Sequence, residues 1–377
     1  MFNSLEIIKK MKNRVSGVTL LAAAVAVAGA SYVSAEQTVN VYNWSDYIAE
    51  ETIAKFEAET GIKVVYDVYD SNEVLEAKLL AGNSGYDVAF PTARPFADRH
   101  IKAGLYQSYD LGKLSGYANL DANIMRTLAD IDPKNEMLIP YMWGTTGIGI
   151  NVDKVREVLG DEAALNSWDL LFNPDTTAKL AACGVSLMDD PTEVFVAARV
   201  YAGAEPNDYS KEGTQAAVDV VTAVRPNIRY FHSSQYINDL ANGDLCVAHG
   251  YSGDILQARD RAAEADNGVN IAYVVPSEGA VVWTDVAVLL ADAPHPEEAH
   301  VFVDYLLRPD VIAEITNYVA YANANAAAEE LVDEEIRADE GIYPPAETRE
   351  KFITLQTPTD RETRSVTRAW TRVKTGQ

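Results

Sequence analysis

Four short stretches of the sequence combine residue types that suit recognition of an organic cation. They are Trp44–Tyr47, Pro91–Thr92, Tyr251–Asp254 and Trp283–Asp285, and three of the four pair an aromatic side chain with an aspartate. Aromatic faces attract ammonium groups through cation–π interactions, and carboxylates accept charge-assisted hydrogen bonds from them. The chemistry that these residue types predict is therefore the binding of an organic ammonium.

Each aspartate also has a simpler explanation in terms of structure. Asp46 and Asp254 stand where the N-cap residue of a helix is expected, and capping alone would account for both of them. Asp285 is harder to explain in this way, because it interrupts the apolar run Val281–Leu290 and a buried carboxylate is costly without a partner. Both explanations of Asp46 and Asp254 stay open at this point.

The elements that must position these stretches alternate between strands and helices. Strands are predicted at 39–42, 62–69, 86–90, 183–187 and 245–249, and helices before Gly61, before Gly82, at 235–242 and at 255–263. This alternation predicts the open α/β fold class, and its two separate runs predict two lobes, with the glycine-rich segment 140–149 crossing between them. In such sheets ligands bind beyond the carboxyl ends of the strands, which is where the four stretches stand.

Length and charge restrict the class of protein further. The chain has 377 residues, of which 48% are apolar and 23% charged, and this is more than one hydrophobic core usually supports. Its 31 basic and 56 acidic residues give a net charge of −25, which argues against nucleic acid or an anionic membrane as a partner. The histidines are scattered and no hydrolase, zinc or calcium signature occurs, so no catalytic residue, metal or cofactor is expected.

Residues 1–35 have the organisation of a secretory signal peptide. An apolar run of small residues at 18–30 precedes Val33–Ala35, a small-residue cleavage site, so Glu36 is the predicted first residue of the mature chain. A basic segment before the run is formed by Lys9, Lys10, Lys12 and Arg14. The alternative is a membrane anchor, but the run is shorter than the ~20 residues that a spanning helix needs. We therefore expect a soluble protein in an extracytoplasmic, oxidising compartment.

The two cysteines, Cys183 and Cys246, are expected to form a disulfide in such a compartment. Exported thiols pair more often than they stay free. Closing a loop of this length would stabilise the fold by roughly 3–4 kcal/mol in the chain-entropy description. Two separately buried thiols are the alternative.

Several longer runs resemble one family of proteins. The sequence closely resembles the periplasmic polyamine-binding proteins of ABC importers, and it is most similar to the putrescine-binding branch. The runs that carry the resemblance span nearly the whole mature chain and are Tyr42–Ile48, Thr60–Asp67, Asp70–Glu76, Ser233–Asp244, Tyr321–Asn325 and Gly341–Ala346.

The resemblance implies a two-lobed periplasmic binding protein of the type II-like class, each lobe an open mixed sheet flanked by helices, with the ligand in the cleft between the lobes. It places 36–142 with 270–310 in the N-terminal lobe and 143–269 with 311–377 in the C-terminal lobe. It implies a monomeric receptor, not an enzyme, that delivers its ligand to a permease in the inner membrane. The implied ligand-binding residues are Trp44, Ser45, Asp46, Tyr47, Thr92, Glu193, Tyr251, Asp254, Trp283, Asp285 and Tyr321, of which Glu193 and Tyr321 come from the resemblance alone.

Some positions depart from the putrescine-binding pattern. Thr92, Tyr251 and Trp283 stand where serine, tryptophan and phenylalanine are usual, which changes the volume of the site. Arg94 and Asp190 replace small residues, and we expect them to pair across the cleft when it closes. Putrescine is the favoured ligand; the alternatives are spermidine or another organic cation on the same scaffold, and a secreted enzyme that uses a carboxylate pair.

Overall fold

The computed structural model describes residues 37–376, so the predicted signal peptide at 1–35 lies outside the described residues. The strands are β1 (Thr38–Trp44), β2 (Lys63–Tyr69), β3 (Val88–Ala89), β4 (Tyr106–Gln107), β5 (Ile139–Asn151), β6 (Val185–Leu187), β7 (Tyr230–Phe231), β8 (Val247–Tyr251), β9 (Ile271–Val274), β10 (Ala280–Leu290), β11 (Ala322–Asn323) and β12 (Phe352–Thr354). The helices are α1 (Glu50–Thr60), α2 (Asn72–Leu80), α3 (Asp98–Lys102), α4 (Ala122–Leu128), α5 (Val152–Leu159), α6 (Asp169–Phe172), α7 (Pro174–Leu180), α8 (Pro191–Tyr201), α9 (Lys211–Val224), α10 (Gln235–Ala241), α11 (Ser252–Glu264), α12 (Pro296–Leu306), α13 (Pro309–Val319), α14 (Glu334–Ala338), α15 (Ala346–Arg349) and α16 (Asp360–Thr375).

Two groups of parallel strands are joined by two long antiparallel strands. The strand order is β2-β1-β3-β10-β5-β8-β6-β7. β1 is parallel to both β2 and β3, and β6 is parallel to both β7 and β8. β10 and β5 pair with each other in antiparallel fashion and connect the two groups. The sheet is therefore mixed, and β5 covers the glycine-rich segment that was expected to cross between the lobes.

The predicted elements are present with shifted ends. α1 ends at Gly61, which adopts a left-handed φ of 73° that costs glycine little. The predicted strand at 86–90 is reduced to the two residues of β3, and the strand predicted at 245–249 lies two residues later, in β8. The helix predicted at 255–263 begins earlier, at Ser252, directly after β8. This last shift moves Asp254 from the expected cap into the first turn of α11.

Aromatic contacts anchor helices on each parallel group. On the β1 side, Phe56 of α1 packs edge-on against Phe302 of α12 with ring centroids 5.2 Å apart. On the β6 side, Trp370 of α16 packs against Phe195 of α8 at 5.4 Å and against Phe231 of β7 at 5.3 Å. Between residues 37 and 376, no helix is both long and apolar enough to cross a membrane.

The predicted disulfide is confirmed. Cys183 and Cys246 are bonded, with their Cα atoms 5.6 Å apart. Cys246 directly precedes β8, and Cys183 lies two residues before β6, so the bond fastens the starts of two paired strands. The disulfide therefore helps to hold β6 and β8 in register, and β8 leads directly to Tyr251 and Asp254.

Candidate ligand-binding slot

A narrow slot lies between the parallel groups, beside the point where β10 crosses. About 370 Å³ of space separates its side chains, and only about 20 Å³ of this admits the centre of a water-sized sphere. Nine of the eleven predicted ligand residues line it, together with two that were not predicted. The lining residues are Trp44, Ser45, Tyr47, Asp70, Thr92, Ser233, Tyr251, Asp254, Trp283, Asp285 and Tyr321.

Asp254 is held by two tyrosine hydroxyls. Tyr236 of α10 donates to Oδ2 at 2.6 Å, and Tyr321 donates to Oδ1 at 2.7 Å. The backbone N–H of Asp254 donates to the Tyr321 oxygen at 3.1 Å, so Tyr321 is itself fixed from both sides. Asp254 lies in the first turn of α11, where the helix dipole favours a negative charge. Each carboxylate oxygen therefore has a fixed partner and a fixed direction.

Asp285 lies at an irregularity in β10. The pairing of β10 with β5 shifts register between Thr284 and Val286, and Asp285 forms an isolated bridge with Thr92 instead. The Thr92 hydroxyl donates to Oδ1 of Asp285 at 2.6 Å. The Asn72 amide group donates to that hydroxyl oxygen at 2.9 Å and accepts from the Thr92 backbone N–H at 3.1 Å. The bulge thus turns a carboxylate into the slot from a strand that is otherwise apolar.

Burial makes the two buried carboxyls of the slot, Asp254 and Asp285, weaker acids than usual. Burial raises the pKa of Asp285 to about 7, against the opposing effect of the Thr92 and Tyr47 hydroxyls. Burial also raises the pKa of Asp254 to about 6, and the hydroxyls of Tyr236 and Tyr321 oppose that rise. A buried negative charge is costly when no cation is close. An ammonium group placed against either carboxylate would favour its charged form.

Aromatic rings from both halves of the molecule meet across the slot. Trp44, which ends β1, contacts Tyr251, which ends β8, at a centroid distance of 6.0 Å. Trp283 contacts Tyr251 and Tyr321, each at 5.5 Å. Tyr47 contacts Tyr321 at 5.1 Å. Ring faces and two separate buried carboxylates in one narrow slot form a site suited to an elongated organic cation.

Asp46 and Glu193 are the two predicted ligand residues that do not line the slot. The Asp46 side chain is 38% exposed and pairs with Arg261 of α11 at 2.7 Å, and its backbone has a left-handed φ of 55°. Glu193 is buried in α8 with Oε2 lacking a hydrogen-bond partner. Burial, and after it Asp190, raises the pKa of Glu193 well above its usual range. Ligand contact by Asp46 and Glu193 stays a prediction.

Neither Asp46 nor Asp254 is an N-cap residue. α1 begins after Ala49 and α11 begins after Tyr251. Asp254 occupies the third position of its helix, where its carboxylate turns toward Tyr236 and not toward the helix backbone. The simpler structural explanation considered for these two aspartates is therefore wrong.

The ion pair expected between Arg94 and Asp190 is not formed in this structure. Asp190 caps α8, accepting from the backbone N–H groups of Thr192 at 2.8 Å and Glu193 at 3.0 Å. Its second oxygen accepts from the Tyr251 hydroxyl at 3.4 Å. Arg94 lines a different cavity. Asp190 is thus committed to a helix terminus and to a slot tyrosine.

Several contributing residues were missed by sequence reasoning. Asp70 directly follows β2, so the rule that ligands bind beyond strand ends would have found it. Ser233 lies just before α10 and carries no comparable local signal. Asn72 and Tyr236 act on slot residues that are distant in sequence, and only the folded chain brings them together.

Comparison with known proteins places the chain in a family. The family described as bacterial extracellular solute-binding protein matches residues 51–344. The chain belongs to this family of solute-binding proteins. Among similar solute-binding proteins are the putrescine-binding periplasmic protein PotF of Escherichia coli strain K12, 52% identical with 95% of this chain and 97% of that protein covered, and the putrescine-binding periplasmic protein SpuD of Pseudomonas aeruginosa, 51% identical with 96% and 99% covered.

A solved structure supports the same solute-binding fold. The putative spermidine/putrescine ABC transporter from Listeria monocytogenes superposes with a TM-score of 0.80 at 30% identity, covering 90% of this chain and 100% of that one. The predicted fold class, an α/β protein of the two-lobed periplasmic binding type with a mixed sheet flanked by helices, is confirmed.

Proposed function

We propose that this protein is the periplasmic receptor of an ABC importer and that its ligand is a linear diamine, with putrescine favoured. One observation carries the proposal: two buried carboxylates, Asp254 of α11 and Asp285 of β10, reach into one narrow aromatic slot. Each of them can accept one terminal ammonium of a diamine. The names of PotF and SpuD support putrescine as the first choice.

The interaction energies are sufficient for tight binding. Charged hydrogen bonds contribute about 1.5–3 kcal/mol each, and a desolvated cation–π contact contributes up to about 2 kcal/mol. Two ammonium groups with several such contacts exceed the ~8 kcal/mol of micromolar affinity, and the excess offsets the cost of association. A monoamine would leave one buried carboxylate unpaired, which makes it a poor ligand.

We propose that binding closes two lobes about the long strands. One lobe comprises 36–142 with 270–310 and the other comprises 143–269 with 311–377. β5 and β10 run from one parallel group to the other, which supports a hinge in these two strands. Trp44 and Tyr251 come from different lobes and meet across the slot, so closure would bury the ligand between them.

We further propose that the closed receptor is monomeric, is recognised by an inner-membrane permease, and releases its ligand chemically unchanged. Hydroxyl donors hold the buried carboxylates of the slot in fixed orientations, and fixed carboxylate acceptors suit the binding and orientation of a cation. Export would depend on the signal peptide predicted at residues 1–35.

Calorimetric titration of the mature chain with a monoamine, a diamine and a triamine of matched carbon spacing tests the proposal. We expect the diamine to bind with micromolar affinity or better and the monoamine at least a hundredfold more weakly. Mass analysis of the released ligand should show it unaltered. Tighter binding of the triamine would indicate that the ligand is a longer polyamine than putrescine. Turnover of any amine would indicate that the protein is an enzyme and not a receptor.

A further inference from the structure

A second, wider cavity adjoins the slot on the other side of Trp283. The outer cavity has a volume of about 530 Å³, compared with about 20 Å³ for the slot when both spaces are measured with a water-sized sphere. That volume lies in the range of small-molecule sites. Trp283 lines both spaces, and Thr284 and Arg94 line the outer cavity while their neighbours Asp285 and Thr92 line the slot. The outer cavity and the slot therefore share a wall at Trp283.

Two arginines line the outer cavity, and neither of them forms a salt bridge. Arg94 follows β3 and is half-buried, and Arg349 ends α15 and is exposed. Within residues 37–376, neither side chain makes a hydrogen bond or a salt bridge, and the Arg94 charge is close enough to Asp98 to help lower the pKa of that carboxyl. The acid nearest Arg94 in sequence, Asp98, is paired with Lys102 at 2.9 Å.

Some arginines of the described chain meet a carboxylate, as Arg99 does with Glu76 at 2.9 Å and Arg308 does with Glu59 at 2.9 Å. Arg94 and Arg349 do not. Two guanidinium groups facing one cavity instead supply donors for an anion from outside the chain, because the planar guanidinium fork fits a carboxylate in bidentate fashion.

The remaining walls suit a small organic body with a single negative charge. Trp143 and Tyr343 meet edge-on at 6.3 Å and form an aromatic wall. Two acids also line the cavity. Asp121 caps α4 through the N–H groups of Asn123 and Ile124, at 2.8 and 3.0 Å, and Glu329 is exposed. These acids disfavour a doubly charged phosphate and leave room for one carboxylate.

We propose that the outer cavity binds a carboxylate group through Arg94 and Arg349, next to the ammonium-binding slot. The carboxylate can belong to a separate small molecule. It can also be the far end of an amine whose ammonium lies in the slot, and this second source rests on the function proposed above. In both cases Arg94 places a fixed positive charge where a third ammonium would otherwise extend, which disfavours longer polyamines.

Calorimetric titrations at low ionic strength test this proposal. The probes are putrescine, succinate added to putrescine-saturated protein, inorganic phosphate added in the same way, and a putrescine that carries a succinyl group on one nitrogen. We expect at least one carboxylate probe to bind, more tightly than phosphate. Binding of succinate alone identifies a separate ligand, and binding of only the conjugate identifies an attached carboxylate.

Variants assign the binding to the two arginines. We expect Arg94→Ala and Arg349→Ala each to weaken binding of the carboxylate probe at least tenfold, while putrescine still binds. Arg372→Ala, an exposed arginine of α16 outside the cavity, is the matched control and should leave both affinities unchanged. Because Arg349 is exposed, its variant tests the site without risk to folding.

Two results would overturn the carboxylate site and leave the diamine receptor intact. One is binding of putrescine with no binding of either carboxylate probe, and the other is carboxylate binding that survives both arginine variants. Preferred binding of phosphate would also overturn it. Carboxylate binding without any diamine binding would instead contradict the proposed function.

Discussion

The hydroxyl of Thr92 lies 2.6 Å from Oδ1 of Asp285, and it accepts a hydrogen bond from Asn72 at the same time. Because Asn72 supplies a proton to the Thr92 oxygen, the hydroxyl's own proton is directed at the carboxylate. Asn72, Thr92 and Asp285 therefore form a chain in which each donor fixes the orientation of the next group. The chain joins α2, the segment after β3, and β10 at one end of the slot.

Removal of this hydroxyl should weaken diamine binding. Thr92→Val keeps the shape of the side chain but loses the donor that orients Asp285, and a hydrogen bond to a charged group contributes about 1.5–3 kcal/mol. We expect roughly a tenfold to hundredfold loss of affinity by calorimetry. Thr92→Ser keeps the hydroxyl and should stay within about threefold of the wild type. Equal affinities for the valine and serine variants would contradict the role given to this contact.

The two slot carboxylates should contribute separately and strongly. Asp254→Asn and Asp285→Asn preserve side-chain size and remove one negative charge each, so one ammonium of the diamine would be buried without its counter-charge. We expect each variant to bind diamine at least tenfold more weakly. Asp175→Asn, at an exposed position of α7, is a control that should bind normally. Wild-type affinity in either slot variant would show that the substituted carboxylate does not bind the diamine.

The sequence predicts the elements better than it predicts the contacts between them. Hydrophobic periodicity and glycines located α1 and β2, because those signals are local. Asp46 and Asp254 look alike in sequence, each close to an aromatic residue after a strand. The structure separates them, because a left-handed turn at Asp46 directs that side chain toward Arg261. Nothing local encodes that difference.

The parts of the site that sequence reasoning missed depend on tertiary contacts. Tyr236 reaches Asp254 across 18 positions of sequence, and Asn72 reaches Thr92 across 20. Nothing in the sequence around Tyr236 or Asn72 indicates that either residue orients a side chain of the slot. Asp285 was recognisable for the opposite reason, since a charged residue within an apolar strand requires an explanation that local structure does not supply.

Diamine affinity should fall as the pH is lowered through the range in which the slot carboxyls titrate. The pKa of Asp285 is raised to about 7 and that of Asp254 to about 6, so both carboxyls bind protons that a dication must displace. Between pH 7.5 and pH 5.5 we expect affinity to decrease by roughly tenfold to a hundredfold. Calorimetry in buffers of different ionisation enthalpy would count the released protons. A constant diamine affinity across this pH range would contradict the titration of Asp254 and Asp285 that their raised pKa values imply.

The same pKa shifts give the ligand-free protein an opposite trend in stability. Both carboxyls have folded-state pKa values above the ordinary 3.8, so the folded state binds more protons than the unfolded state between about pH 4 and pH 7. Their contribution to the free energy of unfolding is complete below about pH 4 and is lost as the pH rises through 6 and 7. Thermal melts of Asp285→Asn should show a weaker pH dependence than those of the wild type.

The exposed pair of Asp46 and Arg261 separates two possible roles for Asp46. The pair joins the segment after β1 to α11 at 2.7 Å, and both side chains are more than one-third exposed. Exposed ion pairs contribute about 0–1 kcal/mol, so we expect Asp46→Asn to change diamine affinity by less than about fivefold. Arg261→Gln should have the same small effect, because it removes the same pair. A loss of tenfold or more in Asp46→Asn, with Arg261→Gln near the wild type, would show that Asp46 acts on the ligand directly, as the resemblance implies.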